Sequence, residues 1–454
     1  MSDNSPKFTS EEWKACIKVL DALKDNPFDN PDNQLFAGLV TKVFKNARKL
    51  NRQTSHITKK SEDLENIKGS TISRNALQGQ THYSEGAFEE QSYAQLNIPK
   101  NCYVCNTSYS QQHSFYNRLC PTCAEFNYSY RFIDVDLTGR TAIITGGRVK
   151  VGFSTALKLL RSGAKLILTS RFPALALAQF QDEADYADWK DRLTVYGLDL
   201  RDLKAVERFV DYFTQHHDSL DILINNAAQT IKYPDSYYQP ILQAEEQAIK
   251  RIDKSIPLQL NTTLHSYQVE EIMYSPEERA EVALTRFGQP IDHREKTSWN
   301  SLLDEVSLYE LLEVNLINHI SPYLLVKAFK PLMKNSTFND RYIINVTSSE
   351  GIFSHSSKTV FHPHTNMTKA ALNMMTLTSG EEFAEDGIYM SAVDVGWIST
   401  GAIESLRQKQ FGVGYIPPLD SVDGAARILH PISEGIQGGP YYAVLLKNYK
   451  IHAW

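Results

Sequence analysis

The sequence predicts an α/β fold, a doubly wound parallel sheet preceded by a helical segment and a small metal-binding module. Three observations predict it. From residue 135 onward, short aliphatic runs (Ala142–Ile144, Leu166–Leu168, Ile222–Ile224 and Tyr342–Ile344) alternate with helical patterns. Such runs suit strands buried on both faces of a parallel sheet. The first run leads into a glycine-bearing turn and a helix, the local text of a phosphate-binding loop. Four of the five cysteines fall between residues 102 and 123.

In chain order, Thr9-x-x-Glu12 forms a capping box, and Trp13, Ile17, Leu20 and Leu23 share one helical face. Asn26-Pro27 and Asn30-Pro31 mark a break. A second helical pattern follows with Phe36, Leu39, Val40, Val43 and Phe44, and this region is expected to pack on something else. Cys16 is expected as a small buried side chain. Residues 52–97 are polar and read as a linker. The expected parts are therefore a helical segment and linker at 1–97, a four-Cys module at 98–134, and a main domain at 135–454.

Cys102-x-x-Cys105 and Cys120-x-x-Cys123 are separated by 14 residues. Each pair grips one ion from a tight turn, and four thiolates complete the tetrahedral shell that suits zinc. Two redox C-x-x-C pairs are the alternative. A closed four-Cys shell leaves no position for substrate, so the metal is expected to be structural, and His113, Tyr116 and Arg118 are candidates for partner contacts.

In Thr145-Gly146-Gly147-Arg148-Val149-Lys150-Val151-Gly152, Gly146 permits the turn and Gly152 permits close packing at the helix start. The second strand ends in Thr169-Ser170-Arg171, where an NAD site usually places a carboxylate. An arginine fork suits a 2′-phosphate, and Arg148 and Lys150 add positive charge, so NADP is expected in preference to NAD.

From these residues the chain resembles the short-chain dehydrogenase/reductase family over about residues 136–454. The family's glycine loop matches Thr145, Gly146 and Gly152, with Lys150 at its middle glycine. Its adenine-contacting Asp matches Asp199, followed by Leu200. Its Asn-Asn-Ala-Gly matches Asn225 to Ala228, so the resemblance places Asn226 and Ala227 beside the ribose. Its helical Asn matches Asn315, and its substrate-contacting Ser matches Ser348. Its ribose-binding Lys matches Lys369, which Asn315 would support through a water. Ile398 and Thr400 fall near nicotinamide. The resemblance implies a Rossmann-like fold and an NADP-dependent oxidoreductase. It departs at one position: the catalytic Tyr, four residues before the Lys, is Thr365, a much poorer acid than a phenol. His362 or His364 could supply the proton; the chemistry could need no protein acid; or the domain could be a silent NADP-binding scaffold or redox sensor.

About 80 residues, near 229–306, separate the Asn-Asn motif from the capping box Ser307-x-x-Glu310. This insertion is expected to emerge at the carboxyl ends of the strands as a lid or partner-binding cap, with helical pieces around 243–252 and 276–284. Net charge is −6, which disfavours nucleic acid as the main partner. No apolar run approaches a membrane span. The expected partners are a small-molecule substrate and, through the N-terminal region, module or insertion, another protein; the family resemblance also implies a homo-oligomer formed through helices. Few cysteines and a polar start place the chain in the cytoplasm by default.

Overall fold

Ala142 and Ile144 point to one face of a central strand and Ile143 to the other, and all three are fully buried. That pattern repeats along the sheet and produces two cores, one on each side. The computed structural model describes residues 7–78, 91–252, 258–259, 289–354, 358–399 and 402–454. It divides into two compact units, 1–63 and 64–454.

The helices of the first part are α1 (Ser10–Leu23), α2 (Asn33–Gly69) and α3 (Thr71–Leu77). The expected capping box of α1 is present, with Glu12 N donating to Thr9 Oγ1 at 3.2 Å and Thr9 N to the Glu12 carboxylate at 2.7 Å. Two expectations are corrected here. Residues 52–77, read as linker, are almost wholly helical: their Lys, Glu, Gln and Arg content is polar but favours helix. Cys16 is exposed rather than buried.

The four-Cys module follows as β1 (Tyr93–Asn101), β2 (Ser108–His113) and α4 (Pro121–Tyr130). The two strands pair antiparallel with a bulge between Gln95 and Lys100. A small core of Ile72, Leu96, Tyr109, Tyr116, Leu119 and Tyr128 stabilises it.

The main domain runs β3 (Thr141–Thr145), α5 (Lys150–Arg161), β4 (Lys165–Ser170), α6 (Pro173–Gln181), α7 (Tyr186–Trp189), β5 (Leu193–Gly197), α8 (Leu203–His216) and β6 (Ile222–Asn225). The insertion contributes α9 (Asp235–Arg251) and the two-residue β7 (Leu258–Gln259). Then come α10 (Leu308–Asn315), a π turn at Leu316–Ile320, α11 (Ser321–Lys334), β8 (Arg341–Thr347), α12 (Pro363–Glu385) and β9 (Ile388–Asp394). The chain finishes with α13 (Glu404–Gly412), α14 (Ser421–Ile436), β10 (Val444–Lys447) and β11 (Lys450–His452).

Among the described residues the main sheet has nine strands in the order β11-β10-β9-β8-β6-β3-β4-β5-β7, all parallel except the β10–β11 pair. Helices α5, α6 and α14 cover one face; α8, α11 and α12 cover the other. The fold is therefore the doubly wound parallel sheet expected. The chain leaves β3 in one direction for β4 and β5, then returns to β6 on its other side. That reversal opens a crevice at the carboxyl ends of β3 and β6, where such sheets bind ligands.

The helical piece expected around 243–252 lies within α9, whereas the piece expected at 276–284 lies outside the described residues. Among the described residues no helix is long and apolar enough to cross a membrane.

Candidate functional site

At the mouth of the crevice the loop after β3 is closed by side-chain clamps. Thr145 Oγ1 accepts from Asn226 N at 3.1 Å and Ala227 N at 3.0 Å. The Asn226 amide donates to the carbonyls of Thr145 and Gly146 at 3.0 and 3.1 Å. This leaves no room at Gly152, where a Cβ would stand 2.2 Å from the Gly146 carbonyl oxygen. The fit of residues 145–152 to a pyrophosphate thus rests on a bare backbone cradle ahead of α5, whose N-terminus carries no side-chain cap.

Lys150 opens α5 with φ +51°, a left-handed conformation that costs a residue with a Cβ about 1 kcal/mol. A glycine would occupy it without strain. Replacing Lys150 by Gly is expected to raise thermal stability while weakening dinucleotide binding severalfold. Calorimetry and thermal unfolding on the same variant check the two opposite signs.

The guanidinium groups of Arg148 and Arg171 converge beside the end of β4. Burial lowers Arg148 to about 10, and the neighbouring Arg171 pushes the same way. Arg171 is raised: burial opposes its charge, but the Tyr238 phenol and the carboxylates of Asp199 and Glu313 outweigh it. Phe172 lies under both cations, 5.3 and 5.6 Å from its ring centre, and Tyr238 lies 5.1 Å from Arg171. Arg171 Nη1 is buried with no hydrogen-bond partner. Two like charges held together around an unsatisfied donor suit an anion such as a 2′-phosphate.

Tyr238 belongs to the insertion. So does Glu245, a buried carboxylate that accepts from Ala174 N and Leu175 N at 2.8 Å each and so caps α6. Helix α9 is thereby fixed against the start of α6, beside Arg171. The other described arm of the insertion reaches α12, where Trp299 stacks on His362 at 4.2 Å.

Asp199 is engaged by Arg201 through both carboxylate oxygens, and Arg201 continues to Glu313 at 2.9 Å. Leu200 is buried, with its carbonyl accepting from Ser321 Oγ at 2.7 Å. Asn315 bonds back to the Leu311 carbonyl at 2.6 Å, at the point where the helix passes into its π turn.

The group that bridges the site lies three residues later and was not singled out in the sequence. Asn318 is buried, accepts from Gln229 N at 2.7 Å, and donates to Gln229 O at 3.1 Å and Thr368 Oγ1 at 3.0 Å. It ties the loop after β6 to the helix that carries Lys369. The only sequence signal was a second Asn in Asn315-Leu-Ile-Asn318, which does not reveal the π turn that aims it.

Lys369 is buried and donates to the Val346 carbonyl at 2.8 Å. Burial lowers its ammonium to about 8, partly offset by Glu350 and Asp394. Ser348 follows directly after β8, half-buried; its neighbour Ser349 is tied back to Asp394 at 3.0 Å and to Lys447 at 3.0 Å. Thr365 is buried and donates to the His362 carbonyl at 2.8 Å, inside its own helix. His362 sits in a left-handed conformation at φ +44°, and burial pulls its imidazole below the ordinary value. His364 Nε2 lies 3.1 Å from Glu310 Oε1. Burial works to raise Glu310, but hydrogen bonds with His364 and Ser298 leave it lowered. Only half of the expected Ser307–Glu310 box forms, Glu310 N donating to Ser307 Oγ at 3.2 Å, because the carboxylate turns to His364 instead.

Four sulfurs meet in the small module. Cys102 and Cys105 flank the β1–β2 turn, which Asn106 makes at φ +59°. Cys120 caps α4 and Cys123 lies in its first turn. All four Sγ atoms lie within 4.8 Å of one another, and Cys105 and Cys120 are 3.7 Å apart. Ligands at about 2.3 Å in a tetrahedron stand about 3.8 Å apart, so the cluster could hold a metal of that geometry. The expected surface role of its neighbours is corrected: His113 and Tyr116 are fully buried, and Arg118 turns inward.

The module is joined to the main domain through buried charges. Arg131 Nη1 lies 2.7 Å from Asp420 and 3.1 Å from Asp423, and Tyr116 donates to Asp423 at 2.6 Å. It also reaches the loop after β9. The Trp397 N–H donates to Tyr103 Oη at 2.8 Å, and Arg118 lies 5.2 and 5.1 Å from the ring centres of Trp397 and Tyr415. Gly396 and Ile398 belong to this loop, with Ile398 packed over Gly424; Thr400 lies outside the described residues.

Residues 140–269 match the model of the short chain dehydrogenase family, and residues 296–413 match that of enoyl-(acyl carrier protein) reductase, together more than half of the chain. An uncharacterized protein of Acanthamoeba polyphaga mimivirus is 32% identical over 344 residues, covering 73% of this chain and 71% of its own length. The WW domain-containing oxidoreductase of Drosophila melanogaster is 37% identical over 93 residues, 20% of this chain and 23% of that protein. Retinol dehydrogenase 14 of Mus musculus is 39% identical over 98 residues, 20% and 29%. The chain thus matches about a quarter of the length of these two named enzymes. An NADPH-bound carbonyl reductase from chicken fatty liver superposes with a TM-score of 0.44 at 19% identity, over 70% of this chain and 100% of that one.

Proposed function

We propose, from the premise that the chain belongs to the short-chain dehydrogenase family, that it is an NADP-dependent oxidoreductase acting on a small molecule through an atypical active site. The paired guanidinium groups of Arg148 and Arg171 carry the NADP assignment, since no carboxylate ends β4 and Arg171 keeps a buried donor without a partner. Thr145, Gly146, Lys150 and Gly152 hold the pyrophosphate end, Asp199 and Leu200 border the adenine, and Asn226 and Ala227 border the ribose. Lys369 binds the second ribose and Ile398 lies toward the nicotinamide, a role the family resemblance also assigns to Thr400. The dinucleotide, when bound, supplies or accepts the hydride. A zinc ion in the four-Cys cluster is structural, because four protein ligands leave no open coordination position.

The protein's own part is to hold a substrate oxygen and move one proton. Ser348 offers a hydroxyl at the end of β8. Thr365 contributes position only, since its hydrogen is committed to the His362 carbonyl and an alkyl hydroxyl is a poor acid. Lys369, lowered to about 8, has a proton matched to neutral pH and is fixed by Val346, with Asn318 holding its helix. Asn315 bonds its own helix and supports the π turn.

Single-turnover oxidation of NADPH against a panel of carbonyls, imines and enones tests this reading. Lys369→Ala is expected to lower the hydride-transfer rate at least 100-fold while cofactor affinity changes less than 5-fold. A wild-type protein that binds NADPH and oxidises it with no member of the panel would favour the second reading, a cofactor-binding scaffold or redox sensor. The inward-turned Thr365 hydroxyl is the observation that supports that alternative.

A further inference from the structure

The N-terminal helices expose what they were expected to bury. On α2, Leu35, Leu39, Val43, Phe44, Leu50 and Ile57 are each between 55% and 68% exposed. At about 100° per residue they occupy one half of the helix surface, an arc of about 180°. Residues 33–61 also contain seven Lys and Arg and no Asp or Glu. All seven cations fall on the opposite half, within about 120°. The segment therefore carries +7 on a chain of net −6, so the rest of the chain carries −13. On α1, Trp13, Ile17 and Leu20 are likewise 40% to 52% exposed along one face.

We propose that α2 is a peripheral membrane contact that lies in the headgroup region of an anionic lipid surface. An amphipathic helix in that plane buries its apolar half at the acyl boundary and keeps its cations among lipid phosphates and carboxylates. The pattern fits no other partner as completely. A nucleic acid would pair with the cations but leave six large apolar side chains in water. A groove in a protein covers an apolar stripe of about 100°, and here the arc is about twice that. The apolar run from 35 to 57 is about 33 Å long at 1.5 Å per residue, with cations throughout, so the helix lies along a surface rather than across a bilayer. The inference is independent of the dehydrogenase site, because it uses only residues of the first compact unit.

Co-sedimentation of the full chain with vesicles is the test. Binding to vesicles of 30% phosphatidylserine in phosphatidylcholine is expected to exceed that to pure phosphatidylcholine by at least 10-fold, and to fall with salt. Leu39→Glu with Phe44→Glu is expected to abolish it; both side chains are exposed, so circular dichroism and NADPH binding should not change. Lys45→Glu with Arg48→Glu should weaken it severalfold. No preference for anionic vesicles overturns the proposal. So does a concentration-dependent dimer in light scattering that Phe44→Glu dissociates while vesicle binding is absent, since a second copy then covers the face.

Discussion

Arg171→Ala is expected to weaken NADPH binding about 100-fold and NADH binding less than 3-fold. The estimate follows from the state of the side chain. Its Nη1 is buried without a partner, and its charge stands beside that of Arg148 on one side of Phe172. Charge-assisted bonds to a phosphate contribute about 1.5–3 kcal/mol each, and 2.7 kcal/mol is about a factor of 100. NADH lacks the 2′-phosphate and makes no such bond. The free protein should lose little stability, because the repulsion from Arg148 goes together with the attraction to Tyr238, Asp199 and Glu313. Titration calorimetry with both dinucleotides checks the ratio. Equal losses for the two would mean that Arg171 shapes the adenine pocket instead of reading the phosphate, and the NADP assignment would fail.

Removing the metal should reach the cofactor site through Tyr103 and Arg118, the two residues by which the module holds the loop after β9. A zinc ion in the four-Cys cluster would fix the turn that carries Tyr103 and the start of α4 that follows Arg118. Both residues bear on the loop after β9, Tyr103 by accepting from the Trp397 N–H and Arg118 by covering the Trp397 ring. Tyr103 and Arg118 are also joined to each other, Tyr103 N donating to Arg118 O at 2.9 Å. Cys120→Ser, or stripping with a strong chelator, is expected to remove one equivalent of zinc, speed amide exchange across residues 395–399, and weaken NADPH binding about 10-fold. Tyr103→Phe separates the linkage from general loosening. It should keep zinc bound yet leave the Trp397 N–H unpaired, a cost of about 1–3 kcal/mol that should appear as local opening of that loop. By linkage, NADPH should in turn tighten zinc binding at equilibrium by the same factor. If exchange at 395–399 does not respond to either change, the module is only a clip.

The cysteine spacing and the strand-turn-helix at 141–152 were legible in the sequence because each is local. A C-x-x-C pair or a glycine cradle is specified within a few residues, and the parallel sheet follows from runs of Ile, Leu and Val that can only be buried on both faces. The 52–77 segment was misread because its charged residues suit an exposed helix as well as a linker, and composition does not separate the two.

By itself, then, the sequence determined the doubly wound sheet, the order of its strands' motifs, the four metal-competent thiols and the replacement of an acidic residue by Arg171. Only the tertiary structure decided that Arg148 meets Arg171, that α9 of the insertion caps α6, that Asn318 holds the Lys369 helix, and that Tyr103 grips the loop after β9. These contacts join residues from 23 to 294 positions apart. Periodicity and spacing constrain neighbours along the chain, whereas a hydrogen bond between distant residues exists only once packing has set both ends in place.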